Sequence, residues 1–573
     1  MASPLLFAVL LGHAVAGLLL AVNQPAHRRP ALWSAAACFV SFLACLALLL
    51  ARFAPESWDL SGAAILSILP GLALGLQAEP VGLTLAAASS LAATVAVTAL
   101  ALADEDSHQW GRPVGFGLLL VSAACGVCLA ATLATVYVAW MIALAAALGI
   151  ALSTGDPGWS IKIAVGGTVG SFALLGVAMV AGLGAPTRPL SALGELAGSG
   201  WPVLLALLVA LALGPWGLPG RSRAHVQERA DPMLDDLQWL AFASLAPPLY
   251  LLAPALGFGE LGSWSGWQAA LLLAALGLCA LGASKQLAGA STEAWLAGAR
   301  QAEAGTAIGG LALGHPIGVL AFLLGLVNLV LAGSTVALGQ RLLAFDSSTP
   351  ASDSSRSALR CLLWGYATLS LAGLPPLLGF AARWLLLVAC LETGQGWFAL
   401  GTVGLVAVGP LTVAKHLRRI RTLQHTAVSE AEVGLGATLV MASPVVVSAL
   451  LSMALFFPVW GPLGGLLRQV IWSEPTSIPQ AATFAWLALL SVVLAALAGA
   501  VMGRGDQISH RVLIGRGQWH RRSAGLQRWA CRNASFALSA LDVAAIARQW
   551  EDRHYVSALL FVATVIIVYS LGY

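Results

Sequence analysis

Apolar runs long enough to cross a bilayer recur along this chain from Leu5 almost to its last residue. A membrane-crossing helix needs about 20 apolar residues. Roughly 14 segments approach that length once short neighbours are merged. No other feature constrains the fold as tightly, because backbone in hydrocarbon must satisfy its hydrogen bonds internally. The expectation is an all-α polytopic membrane protein. Composition agrees, since the 573 residues are 59% hydrophobic and only 9% charged, against a charged fraction of about 25% in soluble domains. Leu5–Val22 has no basic stretch before it and leads into another apolar run, so it reads as a first helix rather than a signal peptide.

The spans predicted before the chain's midpoint are Leu5–Val22, Leu32–Ala51, Val81–Leu102, Val114–Ala130, Thr132–Leu152, Ile161–Leu183, Trp201–Gly214, Leu237–Ala255 and Ala269–Ala283. Those beyond it are Glu293–Leu313, Ile317–Leu338, Leu359–Leu371, Leu377–Cys390, Trp397–Ala414, Leu435–Phe457 and Phe484–Met502. Between the second and third lies Ala54–Gln77, read as an external loop with a partly buried hydrophobic piece. Pro215 and Pro219 end one span and Pro247-Pro248 interrupts another. Broken helices are therefore expected in the core, lining a cavity or packed against protein.

The C-terminal segment differs in kind. Residues 504–554 are polar and basic, and Ala534, Leu538, Leu541 and Ala545 fall on one narrow helical stripe. This predicts an amphipathic lateral helix along the membrane surface, with a tail helix packed on the protein as the alternative. Tyr555–Leu571 then reads as a final anchoring span. The organisation expected is 1–112 as N-terminal spans, 113–420 as the core, 421–503 as C-terminal spans, 504–554 as the lateral helix and 555–573 as the anchor.

The net charge of +4 matters less than its placement. Arg28, Arg29 and the Arg504–Arg532 stretch put their loops on the cytoplasmic side by the positive-inside rule. No basic domain interleaved with aromatics is present, which argues against nucleic-acid binding. Cys125-Gly-Val-Cys128 has metal-site spacing but lies inside an apolar run, with no Cys or His nearby in sequence to complete a ligand set. It reads as small-residue helix packing, and no metal site is expected. There is no P-loop, no dinucleotide-binding glycine pattern and no HExxH.

Ser370-Leu-Ala-Gly-Leu-Pro-Pro-Leu-Leu-Gly-Phe380 resembles the "SLAGLPPLxGF" signature of the antiporter-like subunits of respiratory complex I. That family also includes Mrp antiporters, membrane-bound hydrogenases and the membrane half of Dab-type inorganic-carbon uptake systems. Other segments match in order. Gln77–Leu83 resembles "xLDGLSL", and Ala131–Trp140 resembles the stretch ending in "FxFWE". Ser160–Ser171 resembles "AxKAxxxYFLxxxxGS" with a shorter middle. Leu213–Tyr250 aligns without a gap to the family's first broken-helix region, keeping Pro215, Glu228 and Pro232. Trp295–Gly305 resembles "LLAYSSIAQLG", and Val327–Gly333 resembles "LNHALFK". The basic segment and closing span resemble the lateral-helix extension of the longest members.

The resemblance implies a file of buried ionisable groups carrying protons across the bilayer midplane. Carried over residue by residue, most of that file is missing. The family's glutamate after "FW" is Met141, and the lysine of the first broken helix is Leu213. The "HAATMVK" histidine and lysine are Gln238 and Ser244. In "LNHALFK" the asparagine stays as Asn328, while the histidine is Leu329 and the lysine is Gly333. The lysine–acid pair after the signature is Arg383-Trp384. Arginine stays protonated and cannot relay a proton as lysine can.

Four ion-path candidates remain: Arg383, Lys415, Glu303 and Asn328. Glu303 stands at the "IAQLG" glutamine, as a functional acid or as a hydrogen-bonded structural group near a helix end. Lys415 aligns with an arginine that marks the membrane boundary. Lys162 and Lys285 read as snorkelling side chains, Glu79 as a helix-start acid and His315 as a loop histidine.

The first reading is a non-catalytic, cofactor-free membrane subunit of a complex I-like (NADH-quinone oxidoreductase-like) or hydrogenase-like assembly, in a bacterial-type inner or thylakoid membrane. Its partners would be other membrane subunits, and its proton path would be closed or altered. The alternative is the membrane subunit of a Dab-type system, paired with a large soluble zinc protein. A stand-alone cation/proton antiporter is the third reading, and the missing lysines weigh against it most.

Overall fold

The computed structural model describes residues 2–22, 28–51, 64–69, 72–77, 79–103, 111–154, 157–180, 239–244, 249–252, 265–288, 292–346, 354–406, 408–409, 412–413 and 435–456. All lie in the compact unit Met1–Ala495. The expected spans at Trp201–Gly214 and Phe484–Met502, the breaks at Pro215, Pro219 and Pro247-Pro248, and the lateral helix and anchor fall outside the described residues. Leu213, Gln238 and Lys415 do as well.

Helices dominate. In chain order they are α1 Ala2–Val22, α2 Arg28–Ala51, α3 Pro80–Ala103, α4 Gly111–Cys128, α5 Leu133–Thr154 and α6 Pro157–Val180. A one-turn α7, Leu240–Ala243, follows. Then come α8 Ser265–Ala288, α9 Thr292–Ala312, α10 Pro316–Asp346, α11 Ser354–Ala372, α12 Leu378–Glu392, α13 Gly396–Val406 and α14 Leu435–Phe456. Seven of these are long and apolar enough to cross a membrane, and the chain is a multi-pass membrane protein.

The stretch read as an external loop carries an antiparallel hairpin, β1 Ala64–Leu69 and β2 Leu72–Leu76, with Ala64 opposite Leu76 and Leu66 opposite Leu74. Its end is pinned to the turn after α4. Gln77 N–H donates to Leu129 O at 2.8 Å, Ala131 N–H to Gly75 O at 2.7 Å, and Gly75 N–H to Thr135 Oγ1 at 2.9 Å. A strand outside a sheet exposes unmet main-chain groups, and this pairing meets part of them.

Packing follows membrane logic. Large apolar side chains such as Leu18, Trp33, Leu152 and Leu400 face outward, while alanine, glycine and serine line the contacts between helices. Between helices in lipid, close backbone approach replaces the hydrophobic driving force. At α1–α4, a Cβ on Gly17 would sit 2.6 Å from Gly115 O, so neither position tolerates a side chain without a shift. The centre of the described core is α10, buried over almost its whole span and packed against α3, α9, α11, α12 and α14.

Candidate functional site

The signature Ser370–Phe380 forms the break between α11 and α12. A helix ends with four carbonyls that have no intrahelical donor, and here every one is met. Leu374 N–H donates to Leu369 O at 3.1 Å and Gly373 N–H to Ser370 O at 3.0 Å. That six-to-one and five-to-two pair is the Schellman arrangement, which wants a glycine in the left-handed region. Gly373 has φ +76°, and a Cβ there would also strike the Arg383 guanidinium. The last two carbonyls are taken by Arg383 from one turn inside α12. Its Nη2 donates to Leu371 O at 2.8 Å and its Nη1 to Ala372 O. A positive group at a helix C-terminus is also favoured by the helix dipole.

The same guanidinium reaches α9. Arg383 Nη2 donates to Glu303 Oε1 at 2.5 Å. The two side chains are 7% and 0% exposed, so the pair lies inside the protein. Burying a lone charge is costly, and two opposite charges with hydrogen bonds offset most of that cost. Lysine at this position would be a single point of donors. The planar fork of arginine is what spans two carbonyls and a carboxylate.

Asn328 of α10 joins the same break. Ser370 Oγ donates to Asn328 Oδ1 at 2.7 Å, and Asn328 Nδ2 donates to Ser370 O at 3.4 Å. Gly379 N–H lies 3.5 Å from Ser370 Oγ, and a Cβ on Gly379 would strike Ser370 O. Three of the four ion-path candidates, Arg383, Glu303 and Asn328, therefore meet at one helix break.

The positions that sequence analysis aligned with the family's channel residues are placed differently. At Gly333, on unbroken α10, the ring of Phe242 from α7 lies where a Cβ would begin. Leu329, one turn earlier, is fully buried. Ser244 closes α7 and turns its hydroxyl back to Leu240 O at 2.6 Å. Met141 is 42% exposed on the outer face of α5, whereas Trp140 before it is fully buried and donates to Ser171 Oγ at 3.1 Å.

Other groups singled out in the sequence have structural partners. Glu79 immediately precedes α3 at its Pro80 start, and its carboxylate accepts a hydrogen bond from the Tyr250 hydroxyl. His315 immediately precedes α10. Its Nδ1 accepts from Ile317 N–H at 3.3 Å and its Nε2 faces Glu392 Oε2 at 3.1 Å. Cys125 donates to Ala86 O at 3.9 Å. Among the described residues, no group of three or more Cys, His, Asp or Glu is placed to hold a metal ion.

Sequence reading found Arg383, Glu303 and Asn328 singly but not their convergence. It also missed Ser370 and Phe242. The serine and first glycine of the signature were the available signal for a capped helix end; nothing in sequence marked Phe242.

Comparison with solved structures places the fold. The chain superposes on a chain of the Mrp complex from Dietzia sp. DQ12-45-1b at TM-score 0.60 and 16% identity, covering 82% of this chain and 96% of that one. A chain of the membrane-bound sulfane sulfur reductase, an archaeal respiratory membrane complex, matches at TM-score 0.60 and 14% identity over 90% and 98%. A chain of respiratory complex I from Thermus thermophilus matches at 0.57 and 20% over 82% and 100%. The fold is that of the antiporter-like membrane subunits. No protein-family model and no curated protein matches the chain in sequence. The fold and the ordered motifs thus support the same family.

Proposed function

We propose that the chain is a cofactor-free membrane subunit of a complex I-like or membrane-hydrogenase-like assembly, in which the usual lysine-and-glutamate path is replaced and docking is the main role. The observation that carries this reading is Phe242 against Gly333, which fills the ground where a relay lysine would start. Arg383 supports it, because its donors are engaged by two helix-end carbonyls and Glu303. An always-charged group held this way neutralises a buried acid and caps a helix, and does not shuttle a proton.

Purification of the tagged chain in mild detergent, with mass spectrometry of what accompanies it, tests the docking role. Recovery of several hydrophobic subunits together with iron–sulfur proteins is the expected result. Recovery of the chain with one large soluble zinc protein would instead select the carbon-uptake reading, and recovery alone would select a stand-alone transporter. Proton flux through the reconstituted assembly tests the path. Flux that survives Phe242→Ala unchanged and is insensitive to Glu303→Gln agrees with the proposal; flux abolished by Glu303→Gln in a stable assembly contradicts it.

A further inference from the structure

The hairpin of α8 and α9 carries two cations away from the helix break. Small residues fix its register. A Cβ on Gly282 would sit 2.6 Å from Gly298 O, and one on Gly305 would sit 2.7 Å from Ala275 O. The helices therefore run antiparallel, with Lys285 of α8 level with Arg300 of α9. The two are close enough for their charges to repel. Among the described residues, neither has a carboxylate partner. Lys285 is exposed. Ala297, Arg300, Gln301 and Ala304 are spaced as one face of α9 and are all half-buried, whereas the residues around them are buried. That face is the outward one, and the two alanines leave Arg300 open on either side.

An apolar column runs from the cations toward the middle of the membrane. Ala274, Leu278, Leu281 and Lys285 fall on one stripe of α8, with Ala274 and Leu281 exposed and Leu278 half-buried. The charge of the surrounding helix ends gives the side. A Cβ on Gly310 would lie 2.6 Å from Gly318 O, so α9 and α10 are antiparallel, and Trp364 of α11 donates to Val336 O of α10. The α8–α9 turn thus shares its end of the bundle with the end of α10, which carries Arg341, and the start of α11, which carries Arg356 and Arg360. The turns at the opposite end, 313–315 and 393–395, hold no lysine or arginine. By the positive-inside rule the Lys285 end is cytoplasmic, where the membrane surface carries anionic lipid.

We propose that Lys285 and Arg300 hold the phosphate of an anionic phospholipid from the cytoplasmic leaflet, with an acyl chain laid along Leu278 and Leu281. Charged side chains at the edge of a span are costly unless they meet an opposite charge. A guanidinium offers two parallel donors to phosphate oxygens, and an ammonium adds a point charge beside it. The apolar column selects the source. A free phosphate would meet the cations and leave the leucines bare. An apolar partner helix would cover the leucines and leave the cations unmet. A lipid satisfies both at once. The inference stands apart from the functional reading above, since a docked subunit and an active conductor alike would hold the lipid.

Two measurements decide it. The first is the melting temperature of the delipidated assembly after addition of phosphatidylglycerol, phosphatidylcholine or inorganic phosphate. Phosphatidylglycerol should raise it by several degrees more than either of the others. In the double variant Lys285→Gln/Arg300→Gln most of that difference should vanish, while Arg356→Gln/Arg360→Gln, which removes the same charge from the same end, should keep it. A difference that survives in the first variant, or an equal loss in the second, means diffuse attraction and overturns the proposal. A rise as large with inorganic phosphate means a free-anion site and overturns it too. The second measurement needs no variant. An electron-microscopy map of the assembly in phosphatidylglycerol nanodiscs should show headgroup density between Lys285 and Arg300 and an acyl chain along Leu281. A partner carboxylate in that place, or no headgroup density there, overturns the proposal.

Discussion

Two places on the central helix α10 answer the same problem in opposite ways. Around Asn328 the helix faces the α11–α12 break, where carbonyls, an asparagine, a serine, an arginine and a glutamate are paired with one another. Around Gly333, little more than one turn further on, it faces Phe242 and buries no charge. The backbone makes the difference. At the break, helix-end carbonyls need donors, so a buried cation has work that offsets its desolvation. At Gly333 the ladder of α10 is unbroken, a cation would have no acceptor, and an aromatic ring fills the space.

The strongest way to break this comparison is to take the cation from the break. Arg383→Leu leaves Glu303 buried and unpaired and two carbonyls unmet, and should cost about 3–5 kcal/mol. The expected outcome is a large fall in melting temperature of the purified chain. Adding Glu303→Leu should recover much of it, since a hydrophobic replacement of both partners is often neutral. Failure of the double variant to recover would mean that the carbonyl caps outweigh the ion pair.

The reverse test puts a cation where the ring now lies. Gly333→Lys buries an unpartnered ammonium at a cost of about 2.5–3.5 kcal/mol or more and also collides with Phe242. Recovery of folded protein should drop sharply, and the Phe242→Ala background should relieve the collision but not the charge. A Gly333→Lys variant as stable as the parent would show that water or an acceptor reaches this point.

Smaller effects sharpen the picture. Ser370→Ala removes the donor to Asn328 and leaves its buried oxygen unmet, a loss of about 1–3 kcal/mol that thermal unfolding would register. His315→Ala opens the pair with Glu392 between two helix ends. Both side chains are partly exposed, so the change should stay within about 1 kcal/mol. A loss there as large as that of Ser370→Ala would mean that the outer pair is as isolated from solvent as the inner one.

Much of the fold was legible in advance because membrane helices announce themselves. The predicted Leu435–Phe457 is observed as Leu435–Phe456, and Leu377–Cys390 as Leu378–Glu392. Hydrocarbon permits few alternatives to a helix of that length. The hairpin at Ala64–Leu76 was not legible. Its strands are short, of six and five residues, and they are held by hydrogen bonds to residues near Ala130 and Thr135 that no local pattern reveals. Met141 shows a different gap: its sequence neighbour Trp140 is buried while Met141 faces outward, a choice set by the rotation of α5 in its packing.

By itself the sequence determined that the chain crosses a membrane many times and that it carries a segment resembling the antiporter-like signature. Those are matters of residue type and order. Tertiary structure alone decided what Glu303 and Arg383 contact. Glu303 and Arg383 are 80 residues apart, and only the packing of α9 and α12 around α10 brings the carboxylate to the guanidinium. The geometry of one helix end then gives that guanidinium two carbonyls to cap.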